Sequence, residues 1–396
     1  MDEAQRETLI TGIGIVSCLG EGVEAHWQAL SEGRSGANDT ALAPYIVHPL
    51  APIELDKQIP KKGDQRQMEA WQRIGTFAAG LALDDAKMKG NAELLARTDL
   101  IVAAGGGERD HAVDTSILSA MSTAPVPGEL LNERLMGGLR PTLFLAQLSN
   151  LLAGNISIVH GVTGSSRTFM GEEAAGIDAV RIAAARIGSR QSQVTLVGGA
   201  YNGERKDLIL IYEAGGHALK DSFAPVFERA ARGGGMAIAS LGAFLVLEAS
   251  DHAKTRGARP LAKLTTVLSE RSHRDPGART ATLNDMWATI EPRLKAGQYA
   301  IISGATGSEP ATSEEQAFLQ AHGGVPILAT GTYIGHGLEA QFAMNIALAT
   351  LALGHGRFYA AADGAAAGAG KPLSQVVVTG VSHWRGEGMT LVEAVS

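Results

Sequence analysis

Residues Gly164–Gly176 read G-S-S-R-T-F-M-G-E-E-A-A-G and pass directly into Ile177-Asp178-Ala179-Val180-Arg181-Ile182-Ala183-Ala184-Ala185. A glycine-bounded turn followed by a run of small residues predicts the start of a closely packed, buried helix. Working outward, short β-rich runs that end in glycine recur: Thr8–Thr11 before Gly12, Leu100–Ala103 before Gly105, Val194–Val197 before Gly198, Tyr299–Ile302 before Gly304 and Val376–Thr379 before Gly380. Each predicts a buried strand that enters a tight turn. Between them, the alanine-rich stretches Trp71–Ala86, Glu172–Ile187, Glu314–His322 and Glu339–Leu353 predict helices. Strand and helix alternating at this spacing imply an α/β fold with its sites at strand ends. Gln193-Val194-Thr195-Leu196-Val197-Gly198 also echoes Gln375-Val376-Val377-Val378-Thr379-Gly380, a pattern that duplication would leave.

The 396 residues suffice for two core-bearing domains or one large duplicated one. With 34 Lys+Arg against 41 Asp+Glu, and no basic block interleaved with aromatics, nucleic acid and anionic membrane are poor partners. The first residues, Met1-Asp2-Glu3-Ala4-Gln5-Arg6-Glu7, carry acids where a signal peptide needs a basic start, so a cytoplasmic location is expected. A single cysteine, Cys18, excludes an internal disulfide and reads as a small buried hydrophobe. No C-x-x-C pair, H-E-x-x-H helix or acidic calcium loop occurs, so no metal is expected. Gly12-Ile13-Gly14 falls short of a dinucleotide fingerprint because Ser17 stands at the third glycine position, and no cofactor is expected. Ala104-Gly105-Gly106-Gly107-Glu108 reads as a turn rather than a phosphate cradle. The most apolar stretch, Ala340–Leu353, is interrupted by Gln341, Asn345 and Thr350 and is shorter than the roughly 20 residues a bilayer needs, so it reads as a core helix.

Taken together, five stretches resemble the β-ketoacyl-acyl carrier protein synthases, in order and from Leu9 to Val392. Thr11–Gly20, T-G-I-G-I-V-S-C-L-G, resembles the opening strand and turn of that family. Gly164–Gly176 resembles its nucleophile turn, where a reactive cysteine stands nine positions after the first glycine; nine from Gly164 lies Glu173. Ile301–Gly307 resembles the H-G-T-x-T turn, with Ser303 at the histidine position. Gly331-Thr332-Tyr333-Ile334-Gly335-His336 resembles the K-x-x-x-x-H turn, with Gly331 in place of lysine and His336 retained. His383-Trp384-Arg385-Gly386 resembles the closing G-F-G-G turn, with Trp384 at the gating phenylalanine.

The resemblance implies a thiolase-like fold of two similar halves, residues 1–250 and 251–396, stacked as an α-β-α-β-α sandwich. Gly235–Ala249 and Ser250–Ala258 resemble the strand and helix that cross between the halves. Asp110–Arg140, with Pro125 and Pro127, and the Gly/Ala-rich Ala360–Pro372 read as loops. A condensing enzyme needs its cysteine, two histidines and lysine as one unit, and three of the four are replaced here. Glu173 is a poor substitute nucleophile, since attack on a thioester would make a higher-energy mixed anhydride. Burial would favour its protonated form, which resembles the glutamine that chain length factors carry in the run E-Q-A-G-G-L-D-A; here the run is Glu172-Glu173-Ala174-Ala175-Gly176-Ile177-Asp178-Ala179. A simple helix-start carboxylate is the plainer reading of Glu173, as a core histidine is of His336.

The implied function is therefore a catalytically silent homologue that sets chain length or acts as a scaffold. Its implied partners are an intact synthase and an acyl carrier protein, in fatty acid or polyketide synthesis. The alternatives are a synthase or malonyl decarboxylase of altered mechanism, and a homodimeric acyl-binding module. Met121, Leu131, Leu135 and Met136 are the expected tunnel wall, flexible side chains whose bulk would limit an acyl tail.

Overall fold

The computed structural model describes residues 6–108, 110–138, 147–322, 324–363 and 372–395. Ten strands run along one continuous path. The first five are β1 (Thr8–Ser17), β2 (Asp99–Ala103), β3 (Ser166–Phe169), β4 (Val194–Tyr201) and β5 (Leu241–Ala249), arranged β3-β2-β4-β5-β1. The second five are β6 (Ala262–Glu270), β7 (Tyr299–Ser303), β8 (Ile327–Ala329), β9 (Gln375–Val381) and β10 (Glu387–Glu393), arranged β8-β7-β9-β10-β6. Each set follows the same permutation: third, second, fourth, fifth, first. The sense of pairing matches too, with three parallel strands at one end and two antiparallel additions at the other. The repeated sequence motif thus lies on β4 and β9, the middle strand of each set. The sets join where β1 meets β6 antiparallel, from Thr8↔Leu264 to Ile10↔Ala262.

Strands covered on both faces read as unbroken apolar runs, as Leu100-Ile101-Val102 and Val376-Val377-Val378 do. The helices of the chain include α1 (Ala70–Asp85), α2 (His111–Met121), α3 (Pro127–Gly138), α4 (Leu151–His160), α5 (Glu173–Gly188), α6 (Ser250–Arg256), α7 (Ala278–Ile290), α8 (Ala311–Ala321) and α9 (Gln341–Gly354), and several of them supply this cover. Helices α5 and α9 lie between the two sets of strands and touch both. On the outside, α1 and α4 cover the first set while α7 and α8 cover the second. This is the five-layered, thiolase-like arrangement. Helix α9 is buried almost all round, so its apolar surface faces core on every side. Among the described residues, no helix is long and apolar enough to cross a membrane.

Glycine permits the closest approach between layers. A Cβ on Gly14 of β1 would lie 2.0 Å from the Ala78 carbonyl oxygen of α1, so helix and strand meet backbone to backbone. Gly14→Ala must push α1 outward and is expected to cost about 1–3 kcal/mol. A lowered urea midpoint with unchanged slope checks this; an unchanged midpoint would mean that the contact is not close.

The stretch Asp110–Arg140 departs from the loop expectation, although Arg140 itself lies outside the described residues. It holds α2 and α3. The Asp110 side chain accepts a hydrogen bond from the Val113 N–H at 3.2 Å and caps α2, and Pro127 opens α3, where its missing N–H costs nothing. The prolines start a helix here rather than prevent one. Most of the expected loop at Ala360–Pro372 also lies outside the described residues.

Candidate active site

Glu173 is the first residue of α5 and lies in the interior, 4% exposed. Gly176 sets this position: a Cβ there would fall 2.2 Å from the Glu339 carbonyl oxygen, so only glycine lets the first turn of α5 reach the segment that leads into α9. That segment carries His336, whose N–H donates to the Ala237 carbonyl at 2.8 Å. Ser382 and His383 arrive from the end of β9. The four side chains converge. Glu173 Oε1 lies 2.8 Å from His336 Nε2 and 3.0 Å from His383 Nδ1, and it accepts a further hydrogen bond from the His383 backbone N–H at 3.3 Å. Ser382 Oγ donates to Glu173 Oε2 at 2.8 Å. Glu172 lies 3.6 Å from His383 Nε2.

Electrostatics overturns the expectation of a protonated, glutamine-like Glu173. Burial pushes its carboxyl up, but the His383 charge and the hydrogen bonds from His336 and His383 outweigh it and hold the group well below the usual carboxylate range. For His383, burial pulls the imidazole down, while the charge and hydrogen bond of Glu173 and the charge of Glu172 reverse this and raise it. Glu173 is thus a carboxylate and His383 its imidazolium partner. The neighbouring Glu172 carboxyl is pushed up, by burial first and then by the Glu173 charge, with His383 opposing.

The other expected site residues divide. Gly331 is buried, and a Cβ on it would meet the Ala305 carbonyl oxygen at 2.8 Å, so a lysine has no space to leave the backbone. Ser303 does not join the cluster: it sits at the end of β7 and donates to Glu315 of α8 at 2.9 Å, while Gly304 faces Glu173. Side chains alternate along a strand, and this register puts Ser303 on the α8 side. Trp384, the expected gate, lies at the surface. It is 50% exposed, with the Arg274 guanidinium 3.6 Å from its ring centre, and the preceding residue, His383, covers Glu173. Met121, Leu131, Leu135 and Met136 are not among the described residues that line the small cavity at Glu173; they ride on α2 and α3, and Met136 is 81% exposed. The cavity at Glu173, bordered by His336, Gln341, Asn345 and Thr379, measures about 10 Å³, the space of one water.

Sequence reasoning missed His383 and Glu172. The clue to His383 was its place at the strand end, one residue before the aromatic that drew attention. Glu339 was also missed. It is fully buried, its carboxyl is pushed up to about 8 by burial, and its Oε1 would be 2.5 Å from a Cβ on Gly105. The glycine-rich turn at 104–108 therefore makes way for a side chain of this chain rather than for a phosphate. Cys18 contacts His48 Nδ1 at 3.5 Å, and burial pushes its thiol up to about 12, as suits an inert packing residue.

Comparison with known proteins gives a consistent set. The pattern described as "Beta-ketoacyl synthase, N-terminal domain" matches residues 5–253. The "3-oxoacyl-[acyl-carrier-protein] synthase 2" of Vibrio harveyi is 25% identical over 272 residues, 66% of this chain and 62% of that protein. The chain thus spans under two thirds of that relative's length in the matched region. The "Tetracenomycin polyketide synthase ketoacyl synthase beta subunit" of Streptomyces glaucescens is 25% identical over 372 residues, 88% of this chain and 86% of that protein. Among solved structures, "The ishigamide ketosynthase/chain length factor" superposes with a TM-score of 0.78 at 19% identity, covering 99% of this chain and 100% of that one.

Proposed function

The chain belongs to the β-ketoacyl synthase family, and from this we propose that it is a non-condensing member, the chain-length-determining partner of an intact synthase. One observation carries the reading: the nucleophile position holds a carboxylate locked between two imidazoles and a serine, beside a cavity that admits nothing larger than water. A carboxylate so held is a poor nucleophile, and an acyl chain has no room to lie next to it. One relative that spans 88% of the chain is a ketoacyl synthase beta subunit, which supports pairing with a second subunit. The product is an acyl or polyketide chain on an acyl carrier protein.

In this reading α2 and α3 serve the partner. Exposed apolar residues on and beside them, Leu118, Val126 and Met136 among them, lack cover among the described residues. Met121, Leu131, Leu135 and Met136 then form part of the wall of the partner's tunnel.

Two measurements test the proposal. Incubated alone with an acyl-carrier thioester, the chain is expected to gain no acyl mass; a stoichiometric adduct on Glu173 would sink the reading in favour of an altered enzyme. Co-expressed with an intact synthase, it is expected to elute as a heterodimer, and Met136→Trp should shorten the product without stopping condensation. Since Met136 is exposed, this change leaves the chain's own core untouched. Separate elution, or unchanged product length, would instead favour a homodimeric acyl-binding module.

A further inference from the structure

The buried cluster has an unbalanced edge. Glu173 is saturated with hydrogen bonds, whereas the Glu172 side chain, 41% exposed, has only its 3.6 Å approach to His383 Nε2. One carboxylate oxygen from each glutamate and one ring nitrogen of His383 lie within 4.8 Å of one another. Ligands around a zinc-sized ion, with bonds of about 2.0–2.2 Å, stand at most about 4.4 Å apart, so small side-chain rotations would bring these three donors into its coordination sphere. The outer shell is already built: His336 Nε2 and Ser382 Oγ fix the Glu173 carboxylate, as the groups behind a metal-binding carboxylate do.

We propose that Glu172, Glu173 and His383 bind a single divalent transition-metal ion of the zinc, cobalt or manganese kind. The donor set, two carboxylates and one imidazole, suits these borderline ions. On binding, the ion replaces the His383 proton, which leaves to solvent, and the two carboxylate charges are then matched by the two charges of the ion. Partly exposed Glu172 provides the way in. His217, whose ring centre lies 5.0 Å from that of His383 and whose Nδ1 is paired with Ser308 Oγ, stands next to the three donors. The ion ties the first turn of α5 to the turn between β9 and β10. This inference rests on the cluster alone and does not depend on the partner proposed above.

The test uses tag-free full-length protein stripped with a chelator and titrated with Co²⁺, followed by its visible absorption, with Zn²⁺ in competition. One ion per chain is expected, displaced by Zn²⁺, with thermal unfolding raised by Zn²⁺. Glu172→Gln, at a partly exposed position that leaves the fold intact, should weaken binding at least about tenfold and remove the thermal shift. His48→Gln, outside the cluster, should leave binding unchanged. Absence of saturable binding up to millimolar ion, or equal affinity in wild type and Glu172→Gln, would overturn the proposal.

Discussion

Glu173→Cys made alone should condense acyl and malonyl groups at least about 10⁴-fold more slowly than an intact synthase, because groups that act as a unit are lost as a unit. The structure makes this stricter than the sequence did. Adding Ser303→His would aim the imidazole toward Glu315, away from residue 173. Placing the histidine at Gly304, which does face the cavity, brings its Cβ to 2.6 Å from the Thr379 carbonyl oxygen. Gly331→Lys meets the Ala305 carbonyl in the same way. At the positions that the family resemblance assigns to the chemistry, a new side chain meets backbone or points away, so restoring side chains does not restore a site. Labelled malonyl incorporation by the single and triple variants checks this, and turnover near that of an ordinary synthase from Glu173→Cys alone would refute it.

The second large effect is on stability. Glu173→Ala is expected to cost about 3–5 kcal/mol, since removing one partner of a buried ion pair leaves the other charge without compensation. The cost depends on pH with a definite sign. The Glu173 carboxyl is held below its ordinary 4.5, so its contribution is present above about 4.5 and lost as pH falls through the lowered value. The His383 imidazole is held above its ordinary 6.5, so its contribution is present below about 6.5 and lost as pH rises through the raised value. The gap between wild type and variant should therefore be widest between about pH 4.5 and 6.5 and narrow on either side. Urea unfolding of chelator-treated protein at pH 6 and pH 8.5 measures it. An equal gap at both values would show that His383 is not the charged partner.

The strands and core helices were legible because their side chains answer to periodicity and burial. Tyr299–Ile302 and Val376–Thr379 are apolar runs that only a covered strand explains, and both fall inside β7 and β9. Helices α2 and α3 were not legible, because prolines and a mixed, largely exposed surface give no apolar stripe. At the site, Glu173 and His336 were found by position along the chain, and space brings them together. Ser303 and Trp384 lie outside the Glu173 cluster for one shared reason: a linear match places a residue near a site, but strand alternation and the exit angle of a turn decide which way it points. The charge state of Glu173 was beyond reach, since it is decided by His383, a residue 210 positions away.

That separation has a consequence for how the molecule assembles. The carboxylate at 173 comes from the first set of strands and helices, and its imidazoles at 336 and 383 come from the second, so neither portion can neutralise the other's polar group in advance. Contacts so distant in sequence carry the full entropy of loop closure and form late. A docking that buried the carboxylate without its imidazoles would carry the cost of an unpaired buried charge. The pairing of this one charge is thereby tied to the correct docking of the two portions.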